Sequence, residues 1–529
     1  MHVHEIETFL LLLGAVTLLA WAASAVRIAY PIFLVLGGSV LAFAPGLPLV
    51  ELHPDVVFLL ILPPILYQAA LITSWRDFKA NARPIAMLAI GLVLITTFAV
   101  AAVARLCVPE LPWSVACMLG AIVSPPDAVA ATAITRRLNV PRRIVTILEG
   151  ESLVNDATAL VAYRFAIAAT VTGAFSLYDA SLAVPVVALG GVLVGLLAGV
   201  LSSWVRRFIE DESVQIVAAL LTPYLAYLPA EKLHVSGVLA AVTAGIYVAR
   251  ANPRAMNSRT RLRLIAIWEA LIFLLNGIVF ILIGLQLPGV LAILQQKRSA
   301  VELLAYIFAI SLTAIVVRIG YVFVAAWIPR AVSAAIRARD PLPPSGQLFL
   351  IGWTGMRGVV SLAAALAVPR FIDSGEPFPY RDLVIFITFG VIMVTLVLQG
   401  LSLPALVRAL RIPRERDHLQ ELALARYETA HAAIARLETL LDNGSAAPDL
   451  IERLRVPYEE RIQAFAQHLL EEREDAPLPS ADSLGALRRE ALTAERQHLI
   501  EMRDDGLISD DALREVMEEL DLAEAKLIH

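Results

Sequence analysis

Between residues 10 and 410 long apolar runs follow one another, separated by short polar interruptions. A hydrocarbon core ~30 Å thick takes about 20 apolar residues as an α-helix. On that measure thirteen runs qualify: 6–26, 29–45, 54–72, 84–106, 113–135, 144–168, 180–204, 213–229, 235–250, 263–287, 301–327, 345–368 and 382–408. The pattern predicts an all-α polytopic membrane protein. After Pro413 it changes to charged stretches with helical spacing, punctuated at 442–448, 475–480 and 505–506. Four amphipathic helices are expected there, at 415–441, 449–474, 482–504 and 510–527, with Ser509 as the N-cap of the last.

Composition agrees. The chain is 58% hydrophobic and 17% charged, where soluble domains sit near one half and one quarter. The first ten residues hold no Lys or Arg, so the opening run reads as a span rather than a secretory signal. Cys107 and Cys117 fall near spans and imply no disulfide framework or metal cluster. Charge marks a boundary: residues 413–529 carry 27 acidic and 14 basic side chains, leaving 21 acidic against 29 basic before it. A basic membrane domain, 1–412, is therefore expected to precede an acidic helical domain, 413–529. Alternate loops, beginning with Arg27, hold 18 Lys/Arg, and the other set holds six. The positive-inside rule puts the richer set in the cytoplasm, with the N-terminus outside and the tail inside.

A few polar residues remain at depth. An ionised side chain at the bilayer centre costs at least ~2.5–3.5 kcal/mol, so such residues are functional candidates by default. The fifth run contains Ser124-Pro125-Pro126-Asp127. The two prolines lack N–H groups, so the carbonyls of Ala121 and Ile122 lose helical partners, which a membrane tolerates only where backbone is buried in protein or lines a cavity. A carboxylate beside freed carbonyls is a set of hard oxygen ligands for a small cation. The competing reading is a proline-kinked helix whose Asp caps a helix fragment.

The sixth run contains Glu149, Glu151, Ser152, Asn155 and Asp156. Ser152 and Asp156 share a face at i, i+4, and Glu151 and Asn155 form a second such pair. Asp156 lies about twelve residues, ~18 Å, into the helix. Glu151 reads as part of a structural polar network; Asp156 does not. Arg318 in the eleventh run and Arg357 in the twelfth, within Gly352…Gly355-Met356-Arg357-Gly358, supply counter-charge. Arg164 is close enough to a helix end to reach water. The glycines around Arg357 point to a second broken helix. Breaks in the fifth and twelfth runs are the placement expected of two inverted repeats with the site at their interface.

At these residues the sequence resembles the monovalent cation:proton antiporters, specifically the bacterial Na⁺/H⁺ exchangers related to the animal sodium/proton exchangers. The likeness covers roughly 1–410. It rests on Leu62-Pro63-Pro64-Ile65-Leu66-Tyr67, on 124–130, on Glu149 to Asp156, on Arg318 and on 355–358. It implies a thirteen-helix fold with a dimerisation domain, a mobile six-helix core and crossed broken helices. It implies Asp156 as carrier of ion and proton, with Asp127 and Ser152 beside it as Na⁺ ligands, Asn155 steadying the site, and Glu151 paired with Arg318. Two positions depart from the pattern. Gln68 stands where some members have an acid, and Pro126 where many have Thr, leaving only a backbone carbonyl. Asn155, where electrogenic members carry Asp, implies one-for-one exchange.

The function expected is secondary antiport of Na⁺ or Li⁺ for H⁺ in the inner membrane, serving pH and Na⁺ homeostasis, with K⁺/H⁺ exchange the nearest alternative and a channel or receptor a more distant one. No enzyme activity, cofactor or nucleic-acid partner is expected; the partners are Na⁺, H⁺, the bilayer and a second copy of the chain. The four lysines follow Phe, Glu, Gln and Ala, so there is no Walker A Gly-Lys, and no zincin or Gly-x-Ser-x-Gly motif occurs. The tail histidines His418, His431, His468 and His498 have the scatter of ordinary surface histidines.

Overall fold

The computed structural model describes residues 3–463 except 27–28, 45–53, 136–137, 139, 174–176, 252–257, 295–298, 374, 413–416, 444–447, 450, 453–454 and 460–461. Among the described residues every regular element is a helix, and the only β pairing is an isolated bridge, Phe371 to Pro377. The first half comprises α1 (Val3–Val26), α2 (Tyr30–Leu41), α3 (Leu62–Ile72), α4 (Trp75–Ala80), α5 (Ala82–Ala86), α6 (Val93–Cys107), α7 (Trp113–Val123), α8 (Ala128–Thr135), α9 (Arg142–Thr172) and α10 (Leu177–Arg206). Next come α11 (Glu212–Lys232), α12 (Gly237–Ala251), α13 (Ser258–Leu285), α14 (Leu287–Leu294), α15 (Ala300–Val332) and α16 (Ala334–Arg339). Finally there are α17 (Ser345–Trp353), α18 (Val359–Leu366), α19 (Arg381–Val394), α20 (Gly400–Ala409) and α21 (Asp417–Asp442). Wider π-helical turns lead into α3 and α6 and join α19 to α20.

Among the described residues six helical stretches are long and apolar enough to cross a membrane: Ala82–Cys107, Ala183–Arg206, Glu212–Lys232, Thr260–Val290, Ala300–Val332 and Arg381–Ala409. Shorter apolar helices occupy Leu10–Val26, Tyr30–Leu41, Val56–Ile72, Trp113–Val123 and Gly237–Arg250. The two interruptions anticipated from proline and glycine are present. α7 stops at Val123 and α8 begins at Ala128; α17 stops at Trp353 and α18 begins at Val359. The surface helix α4, capped by Ser74 Oγ accepting from the Asp77 amide, was not anticipated.

Two groups of helices can be told apart by what they pack on. One, called the frame below, joins α1 and α2 to α13, α3 to α12, and α10 and α11 to α12. The other, the site bundle, joins α6 to α7, α7 to α9, α15 to α6, α17 and α19, and α18 to α19. Without a hydrophobic drive between helices in lipid, close approach of small residues does the holding. Within the frame Gly38 lies on the backbone of Ile281, Gly195 on that of Ala240 and Gly245 on that of Tyr67. Within the site bundle Gly120 lies on the Thr97 backbone and Gly352 on that of Ile319. Between the groups the contact is side chain to side chain, through Leu62, Leu66, Leu153, Ala157, Val238 and Ala241.

On the face holding the arginine-rich loops, Asp340 accepts from Arg143 at 2.7 Å and from Arg330 at 2.7 Å, and also pairs with Arg83. Arg27, Arg136, Arg137, Arg254, Lys297 and Arg298 lie outside the described residues.

The chain divides into two compact units, Met1–Arg414 and Glu415–His529. In the second, α21 covers the first expected tail helix, with Ala430 and Ile451 buried. The expected helices at 482–504 and 510–527 lie outside the described residues.

Candidate ion-binding site

The broken helices meet, and each bonds to the other. Beyond Val123, where Pro125 and Pro126 end the helical ladder, the chain's carbonyls are taken up by side chains. Ser124 Oγ donates to the Ala121 carbonyl at 3.1 Å. Arg357 Nε donates to the Val123 carbonyl at 2.9 Å, and Asn155 Nδ2 donates to the Pro126 carbonyl at 3.0 Å. From the other side, the Asp127 amide donates to the Met356 carbonyl at 2.6 Å. In the second break the Arg357 amide donates to Thr395 Oγ1 at 3.2 Å, and its guanidinium donates to the Gly355 carbonyl. Arg357 thus clasps the two breaks together, 1% exposed. Gly358 is required here: a Cβ at that position would collide with the Asp127 carboxylate.

Asp127 is engaged. Its Oδ1 accepts from the Val129 amide at 2.8 Å, and the amides of Val359 and Ala130 also face it. The carboxylate therefore sits at the N-termini of α8 and α18, where unpaired amides and helix dipoles favour negative charge. The capping reading raised by the sequence is realised, and the same side chain also borders the cavity described next.

Of the carboxylates on α9, Glu151 is locked. Arg318 Nη1 and Nη2 donate to its two oxygens at 2.5 and 2.9 Å, with both side chains 1% exposed. Asp156, 7% exposed, makes no hydrogen bond or ion pair among the described residues. It borders a cavity of about 350 Å³ shared with Gln68, Pro126, Asp127 and Ser152. The cavity extends from Asp156 toward Glu149, Thr132 and Ile72, that is, toward the Arg142 end of α9. Glu151, Asn155, Arg318 and Arg357 stand behind these residues and do not line it. Arg164 is outside the site, paired with Glu231 at 2.7 Å.

Residues 12–409 match the family profile described as sodium/hydrogen exchanger, transmembrane. The chain belongs to that family. It is 36% identical, over 98% of its length and 97% of theirs, to uncharacterized Na⁺/H⁺ exchangers of Mycobacterium tuberculosis and Mycobacterium bovis. It is 37% identical, over 70% of this chain and 56% of that one, to the sodium, potassium, lithium and rubidium/H⁺ antiporter of Bacillus pumilus. The fold is that of the sodium proton antiporter MjNhaP1 from Methanocaldococcus jannaschii, with TM-score 0.58 at 19% identity over 77% of this chain and 98% of that one.

As a family member the chain is a multi-span transporter of the cell membrane, built for monovalent cations and protons. Sequence reasoning overlooked four polar residues of its cavity, Tyr30, Thr132, Asn276 and Ser361. Asn276 left a signal, a lone amide within 271–283, an otherwise apolar stretch of α13. Ser361 left none that separates it from the other serines of apolar helices.

Proposed function

We propose that this exchanger trades one Na⁺, or a related monovalent cation, for one H⁺, with Asp156 as the group both compete for. The observation that supports this best is the contrast on one helix: among the buried carboxylates of the described residues, Asp156 alone borders a cavity without a partner. A bare carboxylate at that depth is costly. Asp156 therefore takes a proton or a cation, and holding one excludes the other. The neighbouring oxygens of Asp127 and Ser152 and the Pro126 carbonyl, with one lone pair left beside the Asn155 bond, complete a hard-oxygen set suited to Na⁺. Glu151, Arg318, Arg357 and Asn155 hold the breaks in register rather than touching the ion, and Gln68 contributes a neutral amide.

In this reading thirteen spans form two inverted repeats, the N-terminus lies outside and residues 413–529 form a cytoplasmic domain. The site bundle shifts against the frame to expose Asp156 to each side in turn, and the frame serves a homodimer. With Arg318 committed to Glu151, one exchangeable carboxylate swaps one proton for one cation, so no net charge moves. The test is dequenching of a pH dye in inverted vesicles on adding Na⁺, Li⁺, K⁺ or Rb⁺, the range motivated by the name of the Bacillus relative. In proteoliposomes clamped with K⁺ and valinomycin the reversal point should stay fixed as voltage changes. A shift with voltage, where one charge per 100 mV is worth ~2.3 kcal/mol, would overturn the one-for-one assignment.

A further inference from the structure

A second cavity, of about 610 Å³, lies against α9 on a different face from the ion cavity. Neighbouring residues of that helix divide between the two. Ser152, Leu153 and Asp156 border the first cavity; Val154, Ala157 and Thr158 border the second. The remaining walls include Phe98 of α6, Trp113 and Cys117 of α7, Ala188 of α10 and Leu239 of α12. The cleft is thus bounded by the site bundle on one side and by the frame on the other. No charged side chain lines it.

Its occupant follows from physical chemistry. Phe98 and Trp113 are 61% and 55% exposed at its border, so the cleft opens sideways, at the depth of the hydrocarbon. Apolar walls give water too few bonds to stay, whereas lipid chains are already there. The α9 residues along it run from Val154 to Ala169, ~22 Å at 1.5 Å per residue, which exceeds the ~15 Å of one hydrocarbon leaflet. At its rim, in the last turn of α6, the Arg105 guanidinium lies 4.9 Å from the centroid of the Trp113 ring. Its Nη2 donates to the Pro109 carbonyl at 3.3 Å, and no acidic side chain among the described residues pairs with it. An aromatic belt residue beside a cation is the arrangement that meets a lipid headgroup.

We infer that this cleft is a phospholipid site: one acyl chain fills the space between α9 and α10, and its phosphate rests on Arg105 beside Trp113. The chain lies between the two helix groups. Given the exchange reading above, its presence sets how far they can approach in that half of the membrane, and exchange rate follows occupancy.

Native mass spectrometry of the full-length protein in detergent, titrated with phosphatidylglycerol, phosphatidylcholine and diacylglycerol, tests this. The wild type should carry one phospholipid per chain that Ala162→Trp, which fills the cleft from α9, does not. Ala188→Phe fills it from α10 and serves if the first variant folds poorly. Arg105→Gln should bind about tenfold more weakly, the scale of one charge-assisted hydrogen bond. Equal binding by wild type and both filled variants would overturn the site. Equal affinity for diacylglycerol, which has the chains without the phosphate, would overturn the role of Arg105. Asp156→Asn should bind phospholipid as the wild type does while losing exchange. Exchange persisting in it would sink the ion reading and leave the cleft standing; failure of the filled variants would do the reverse.

Discussion

Two carboxylates five residues apart on α9 meet opposite fates. Glu151 is as deeply buried as any charge among the described residues, and a bidentate guanidinium answers it. Asp156 is nearly as buried and is answered only by space. A matched buried pair adds little net stability yet is expensive to break, so Glu151 with Arg318 behaves as a fixed joint between α9 and α15. An unmatched carboxylate at the same depth is costly as a bare anion, which is why the exchange reading gives it a proton or a cation to hold. The difference teaches that what sets Asp156 apart, and supports the role proposed for it, is not depth but depth without a partner.

The sharpest way to break the comparison is to neutralise the open member. Asp156→Asn should abolish cation-driven proton movement in vesicles while leaving yield and melting temperature near wild type. Activity above the empty-vector level would remove Asp156 from its role. Next in size, Arg318→Ala should destabilise the folded protein by roughly 3–5 kcal/mol, because Glu151 is left buried and unpaired. Adding Glu151→Gln should recover much of the loss in detergent melting, and equal melting of the single and double variants would mean the pair does not act as a joint.

Asp127 stands between the two cases, because it caps helices and borders the cavity. Asn caps almost as well as Asp, whereas Ala costs about 0.5–2 kcal/mol. Asp127→Asn should therefore keep the fold and lower exchange, and Asp127→Ala should lose stability as well. Wild-type exchange in the Asn variant would reduce Asp127 to a cap. The smallest effect is expected at Asp340. Burial raises that carboxyl, but Arg143 and Arg330 outweigh it and hold the group below the ordinary carboxylate range. A lowered value means its contribution is present above the usual carboxylate range and is lost only as pH falls through the lowered one. Asp340→Asn should cost at most about 1 kcal/mol per exposed pair, read as a small melting shift that shrinks with salt.

Much of this was legible in the chain. Pro125 and Pro126 fixed where α7 had to stop, because a missing N–H is a local fact. The same holds for Gly358, although the reason only Gly fits, the Asp127 carboxylate across the crossing, is visible only in three dimensions. The Glu151–Arg318 pair was implied by family resemblance, since 167 positions separate them and nothing local joins them. Asn276 was overlooked because a single amide in an apolar helix is affordable as packing; its exposure to the cavity depends on the rotation of α13. The second cavity left no trace in the sequence, since its walls are ordinary lipid-facing residues.

The residues lining the ion cavity include Glu149, Thr132 and Ile72, on the side of Asp156 nearer the Arg142 end of α9. An open cavity admits solvent, and solvent carries the bulk potential inward, so a residue at geometric mid-membrane sits electrically close to the arginine-rich surface. In the alternating-access reading proposed above the far half is closed, and the voltage across the bilayer falls mainly beyond Asp156. A cation arriving from the open side crosses little of that drop, and one arriving from the far side, in this conformation, would face nearly all of it. One-for-one exchange leaves the end point indifferent to voltage, but the two directions of approach need not share a rate. The electrical distance to the carboxylate is set by the shape of a cavity, not by the number of residues on either side.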